Sequence, residues 1–398
     1  MTVNRRSRSS PGDRELRLWK VGRALTVTFA AAVLAAGGIF YGLVYLLGYQ
    51  EIGNTRKLDA KTLFDLVKLS FGVVAGAGAL VALVVAYRRQ RVDEAGAHRE
   101  ATRLHTERFT QAVEQLGSNS PAVQLGGVHA LAGLADDAPN QALRQTCIDV
   151  LCAYLQLPFT PDPGEDPAHQ EAHHRYLASR KVRHTILRLI GDHYRRPQGA
   201  YGSWQGCDLD LTDVIVDGSM DFRGATFSSG TVSFAGARFS EGTVSFAGAQ
   251  FSGAEVSFRN VTFSGSQVFF TGTQFIGRKV SFGDARFSGG TVSFAGTRFS
   301  GAEVSFRDAR FAGSRVSFGS ARFADGQVSF RGVTFSGGSM DFGAVFSGSG
   351  VSFRGSTFLG GQVSFASATG PAPLGLLDAV GTASATVALS SLWMPETE

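Results

Sequence analysis

His169, Glu171, His173 and His174 crowd into six positions. His169 and His173 have the i, i+4 spacing that lets two imidazoles on one helix face share a metal ion. The zinc-protease pattern needs a glutamate directly after the first histidine, and Gln170 stands there. The cluster also follows a Pro-, Asp- and Gly-rich loop, Pro158 to Pro167, so the expected role is a polar helix start. Cys147 and Cys152 lie five apart on an apolar segment, where cysteine acts as a small core residue. No nucleophile–base pair, phosphate-binding glycine loop or paired carboxylates occur. The expectation is a non-enzymatic protein with no catalytic, metal-binding or cofactor-binding residues and no cofactor.

The elements that could position any chemistry are unevenly built. Of 32 phenylalanines in 398 residues, 26 lie between Phe222 and Phe365, and glycine reaches 50. That combination points to a repeat architecture rather than disorder. Three cysteines exclude a disulfide-built scaffold. The net charge of +5 is modest, and much of the positive charge flanks apolar stretches.

Residues 24–50 carry no charge, and residues 69–87 form a second uncharged run ending at Arg88, Arg89 and Arg91. A bilayer core needs about 20 apolar residues as a helix, so both are expected to span a membrane as a hairpin. Tyr41, Tyr45 and Tyr49 suit an interfacial belt, and Gly72, Gly76 and Gly78 allow close helix approach. The first run is too long for the apolar part of a cleaved signal peptide, about 7–15 residues. Arg5, Arg6, Arg8, Arg14, Arg17, Lys20 and Arg23 precede it. The positive-inside rule then puts both termini in the cytoplasm and loop 51–68 outside, a multi-pass protein of the plasma membrane with its basic flanks near anionic lipid head groups.

From Ala95 to about Arg196 the apolar period shifts to about 3.6, within an expected cytoplasmic helical region over 88–207. Phe109, Ala112, Val113 and Leu116 form one stripe. Val123, Leu125, Val128, Leu131 and Leu134 form a second, and Ile148, Val150, Leu151, Tyr154 and Leu155 a third. A last helix is expected over Ala172 to Tyr194. Residues 122–137 resemble a helix of a HEAT-type unit.

Beyond Gly218 the phenylalanines recur at alternating spacings of 5 and 7, as in Phe234, Phe239, Phe246 and Phe251. One unit, residues 232–243, splits into VSFAG, ARFSE and a GT spacer. A side-chain period of two puts Ala237 with Phe239, and Val244 with Phe246, on one side of a short strand, and Arg238 and Ser245 on the other. Only stacking on copies of itself can bury the first side, which is the physics of a parallel β-solenoid. Ser219–Phe222 returns as Ser339–Phe342, and Phe251–Arg259 returns in a copy ending at Arg307. Arginine just after Phe (Arg259, Arg307, Arg331) also favours alternate units. These periods favour a coil of about 24 residues, two units, over one of about 12. Six coils at about 4.8 Å make a rod of roughly 30 Å, and two-walled coils of a single unit would double it.

The blocks resemble the pentapeptide-repeat family, whose unit is a small residue, Asp or Asn, Leu or Phe, then two variable positions. Ala225-Thr226-Phe227, Ala237-Arg238-Phe239, Ala285-Arg286-Phe287 and Ala309-Arg310-Phe311 carry the resemblance. It implies a right-handed quadrilateral parallel β-helix over 208–365, and membrane-anchored bacterial members with a helical region before the repeats are similar to the whole chain. The departures are a middle position that is mostly Ser or Arg, Val in half the blocks, and the two-residue spacers. The expected fold is thus two transmembrane helices, an α-helical region and a β-solenoid. Asp208–Asp217 with the helical region should cover one end, and the tail 366–398, with Leu374, Leu376, Leu377 and Val387 to Leu392, the other.

Some family members mimic DNA with rows of carboxylates and so bind topoisomerases. Here residues 222–365 carry 13 basic and 7 acidic side chains, the wrong sign for mimicry. Arg238, Arg286, Arg298, Arg310 and Arg322, all at the outward middle position, could form a ladder for anionic lipid or nucleic acid, although the interspersed Ser and acidic residues suit a merely solvated wall. A flat Ser/Thr wall could bind ice, which a cytoplasmic location argues against. The reading is a membrane-tethered scaffold offering the rod to a protein partner, with the arginine ladder as the alternative.

Overall fold

The computed structural model describes residues 26–27, 29–31, 33–34, 37–38, 60–347, 350–381, 383 and 386–394. The chain divides into two compact units, 1–100 and 101–398.

In the first unit, the described residues of 26–38 are helical, and helix α1 (Ala60–Leu116) begins. The expected first span otherwise lies outside the described residues. The second run, 69–87, lies within α1 and exposes Leu69, Val73, Leu80, Leu83 and Val85. Among the described residues no helix is long and apolar enough to cross a membrane.

The second unit opens with the end of α1, followed by α2 (Pro121–Asp136), α3 (Gln141–Gln156) and α4 (Gln170–Arg195). Asn140 caps α3 by accepting from the Leu143 N–H at 3.0 Å. Ala112 and Leu116 meet Val128, Leu131, Leu134, Ile148, Leu151 and Leu155 in one core. Gly127 permits the closest crossing, for a methyl group there would lie 2.5 Å from the Leu116 nitrogen. Val123 is exposed instead of joining its stripe, because it sits in the first turn of α2, before the buried run starts at Gly127. Val182, Ile186, Leu187 and Ile190 of α4 are buried.

The solenoid is entirely parallel, and its stacked partners lie two repeat units apart in sequence. Val232 pairs with Val256, Val280 with Val304, and Phe263 with Phe287. The longer of the two expected coils therefore holds. Each coil has four walls, centred in one turn on Val232 (wall 1), Phe239 (wall 2), Val244 (wall 3) and Phe251 (wall 4). The coils number about seven rather than six, roughly 34 Å of rod at about 4.8 Å each. Pairing starts at Leu209, ahead of the phenylalanine rhythm, and the tail strand Thr386–Ala388 adds to wall 3 beyond Gln362–Ser364.

The two blocks of each unit are not equivalent. In ARF blocks Phe sits mid-strand, as Phe287 does in Arg286–Ser288. In VSF blocks the strand is centred on Val, and Phe follows it into the corner, as with Val292 and Phe294. The two-residue spacer causes this shift. Four phenylalanine columns result. Rings stack along each, as for Phe234 and Phe258 at 4.9 Å and 2°. The two corner columns meet edge-to-face, as for Phe246 and Phe258 at 5.5 Å and 86°, the geometry that ring quadrupoles favour. Phe269 alone among these 26 stands outside the columns, half-buried on the outer face of wall 3.

Corners are tight turns in which the third residue takes a left-handed conformation. At the edge between walls 1 and 2 that position holds Asp213, Gly236, Asn260, Asp284, Asp308, Gly332 and Gly355, each with φ between 56° and 70°. Gly, Asn and Asp are the residues that tolerate it.

Both ends are covered. At the first, Tyr194 of α4 lies 5.0 Å from Phe227 and donates to the Cys207 carbonyl at 3.0 Å. Asp217 accepts from Tyr176 at 2.5 Å and faces Arg180 at 3.3 Å and His184 at 3.5 Å. At the far end the tail continues the coil. Leu374 bridges to Ser352 on wall 1, α5 (Leu376–Gly381) buries Leu376, and Trp393 lies 5.9 Å from both Phe346 and Phe365.

Candidate interaction surface

The histidine cluster is dispersed. His173 engages Asp162 through Nδ1 at 2.7 Å, and that hydrogen bond holds the Asp162 carboxyl below its usual range. His174 and Glu171 line a cleft of about 400 Å³ together with Tyr154 and Arg175. Among the described residues, no three His, Cys, Asp or Glu side chains stand where they could hold a metal ion. Cys147 and Cys152 are core residues, and burial pushes their thiols up to about 11 and about 12.

What remains is the outside of the rod. The five arginines expected to form one ladder are divided between two walls. Arg238, Arg286 and Arg310 share the wall 2 column, in which Thr262 separates the first two. Arg298 and Arg322 share the wall 4 column beyond Gln250 and Gln274. With four walls per coil, consecutive ARF blocks fall two walls apart, so a linear list of arginines maps onto two separate faces.

A more continuous basic column runs along the edge between walls 1 and 2. Arg259, Arg307, Arg331 and Arg354 each follow a corner phenylalanine, and backbone bonds put the last three in successive coils: Asp308 N–H donates to Arg331 O at 3.0 Å, and Gly332 N–H to Arg354 O at 3.1 Å. The sequence carried this signal as arginine just after Phe, where it served only as a mark of the period. In the earlier coils the column is neutralised by Arg259–Asp284 at 3.4 Å and Arg307–Asp308 at 3.3 Å, with the Lys279–Glu303 pair at 3.7 Å beside it on wall 1. Gly283 interrupts the column and leaves a notch of about 390 Å³ lined by these groups. In the last two coils Gly332 and Gly355 replace Asp at the left-handed corner. Arg331 and Arg354 are exposed there and have no ion pair among the described residues.

Wall 3 is different again. Its outward columns run Thr243, Gln267, Thr291 and Ser245, Phe269, Ser293, uncharged over these three coils. Phe269 occupies the place that serine holds in the coils on either side.

The model for pentapeptide repeats (9 copies) matches residues 211–257. No curated protein and no solved structure matches the chain. The matched residues are the first coils of the stack, and their register continues through wall 1 to Val328, so the pairing pattern of the matched pentapeptide repeats extends beyond the match.

Proposed function

We propose that the chain is a non-enzymatic scaffold, tethered to the cytoplasmic face of the plasma membrane, that presents its rod to a protein partner through wall 3. Phe269 carries this reading. Phenylalanine elsewhere in the repeat is core, and an aromatic ring left outward among the uncharged residues of three successive coils, between Asp221 on one side and Arg315 on the other, has the character of an interface anchor. The tether rests on the uncharged runs 24–50 and 69–87, which in full include residues outside the described ones, and on the exposure of Leu80 and Leu83, 52% and 66%, within the second.

Two measurements test it. A protease-sensitive tag after Glu398 should be protected in intact cells and cut in inverted vesicles; cleavage in intact cells would reverse the topology. In cells carrying a photocrosslinker at Thr243, Phe269→Ser should abolish a discrete crosslinked band while leaving thermal stability unchanged. A band that survives the substitution removes wall 3 as the interface.

A further inference from the structure

At its far end the rod combines outward leucines with arginines that have no ion pair among the described residues. Arg331 and Arg354 stack in successive coils on the edge between walls 1 and 2, and Arg310 lies on the adjoining wall 2. Gly375 packs against Arg354, for a methyl group there would lie 2.7 Å from its Cγ. Leu374 and Leu377 flank that glycine and are 54% and 47% exposed. Leu359 is 59% exposed on wall 2, five residues beyond Arg354 in the same turn, where other coils place Ser240, Ser264, Ser288 or Ser336. Two carboxylates are near: Asp378, exposed next to Leu377, and Asp308, which pairs with Arg307 and stands against Gly332 in the next coil.

We propose that this end of the rod docks on an anionic bilayer surface. Arg331 and Arg354, with Arg310 beside them, meet lipid phosphates, while Leu359, Leu374 and Leu377 enter the head-group region. Basic side chains next to isolated exposed leucines are what interfacial binding requires: charge attracts the surface, and short apolar insertion holds the protein on it. A nucleic acid fits less well. The leucines have no phosphate to meet, and among the described residues no exposed aromatic stands beside these arginines for a base to stack on. The inference concerns the rod end alone and stands apart from the tether.

The test uses the full chain carrying Thr357→Cys, labelled with an environment-sensitive dye. Thr357 is exposed two residues before Leu359, and the native cysteines are buried. With phosphatidylcholine–phosphatidylglycerol vesicles the emission should shift to the blue; with phosphatidylcholine vesicles it should not. Arg331→Gln with Arg354→Gln should weaken the response roughly thirtyfold, from about a fivefold effect per basic residue near the surface. Leu359→Ser with Leu377→Ser should remove the shift at unchanged thermal stability. An equal shift on neutral vesicles, no shift on either, or a shift provoked by duplex DNA and not by vesicles overturns the proposal. Flotation of the same samples separates the two readings. Protein that floats with neutral vesicles while the dye stays in water keeps the tether and loses the docking. Protein that floats only with anionic vesicles does the reverse.

Discussion

At the residue scale the repeat assigns phenylalanine two opposite roles. A ring inside a column is held by stacking above and below, as Phe282 is by Phe258 at 4.8 Å and Phe306 at 4.7 Å. Phe282→Ala should therefore cost about 3–5 kcal/mol, read as a lower denaturant midpoint in urea. Phe269→Ser restores the residue of neighbouring coils on an outer wall and should change stability by less than about 0.5 kcal/mol on the same measurement. The buried hydroxyls follow a similar logic. Thr273 and Thr297 replace the Ala249 and Ala321 of other coils, and each donates to a phenylalanine carbonyl, Phe246 O at 2.8 Å and Phe270 O at 2.7 Å. A polar group is tolerated in this core because the coil below offers it an acceptor. The sequence spacing showed which rings would be inside. The same period separates Phe269 from Phe270, because Phe269 holds the place of Ser245; which residues surround it on the outside was decided only by the wall register.

At the scale of elements, the contact between α4 and the first coil decides whether the stack has a sealed end. Gly191 makes the approach possible: a methyl group there would lie 2.3 Å from the Asp221 carbonyl oxygen, which also accepts from Arg195 at 3.0 Å. Backbone cannot yield as a flexible side chain does, so Gly191→Ala should destabilise by about 1–3 kcal/mol despite its better helix propensity, and raise amide exchange in strand Met220–Asp221 first. Asp217 adds a pH dependence. Burial acts upward on its carboxyl, but the His184 imidazole 3.5 Å away and the hydrogen bond from Tyr176 outweigh it and hold the group below its usual range. A carboxyl depressed in the folded state stabilises fully above its unfolded value of about 3.9 and loses that contribution as pH falls through the lower folded value. Acid titration of the thermal midpoint should show this loss below about pH 4, and Asp217→Asn should flatten it. The α4 boundaries were nearly legible from apolar spacing. The tyrosine, histidine and arginine that clasp Asp217 were not, since they lie on α4 while Asp217 ends a strand well beyond it, and no local period links the two.

For the solenoid unit as a whole, stability is passed between neighbouring coils, so its ends should open before its middle. Trp393 closes the far end against Phe346 and Phe365 and donates from Nε1 to Gly370 O at 2.8 Å. Trp393→Ala should leave the central coils protected from amide exchange while strand Thr357–Ser364 exchanges faster, as hydrogen-exchange mass spectrometry would read. If protection fell evenly along the rod, the coils would be cooperating as one block and not as neighbours.

The sequence by itself determined that this chain contains a stack. A residue pattern of period two, repeated at alternating short spacings, leaves each strand with an apolar side that only copies of itself can bury, and the longer duplications pointed to two units per coil. It also located the helical stripes, because burial in a helix has its own period. Which residues share a face was decided only by the tertiary structure. Arg286 and Arg298 come from consecutive units and belong to different walls, while Arg331 and Arg354 come from units twice as far apart and are adjacent. The number of coils was decided there too, because Leu209 and Thr386–Ala388 join the stack by backbone pairing without the phenylalanine rhythm. Away from α4 most outward side chains face water, so burial does not constrain them, and their grouping follows from how many walls the closed coil has.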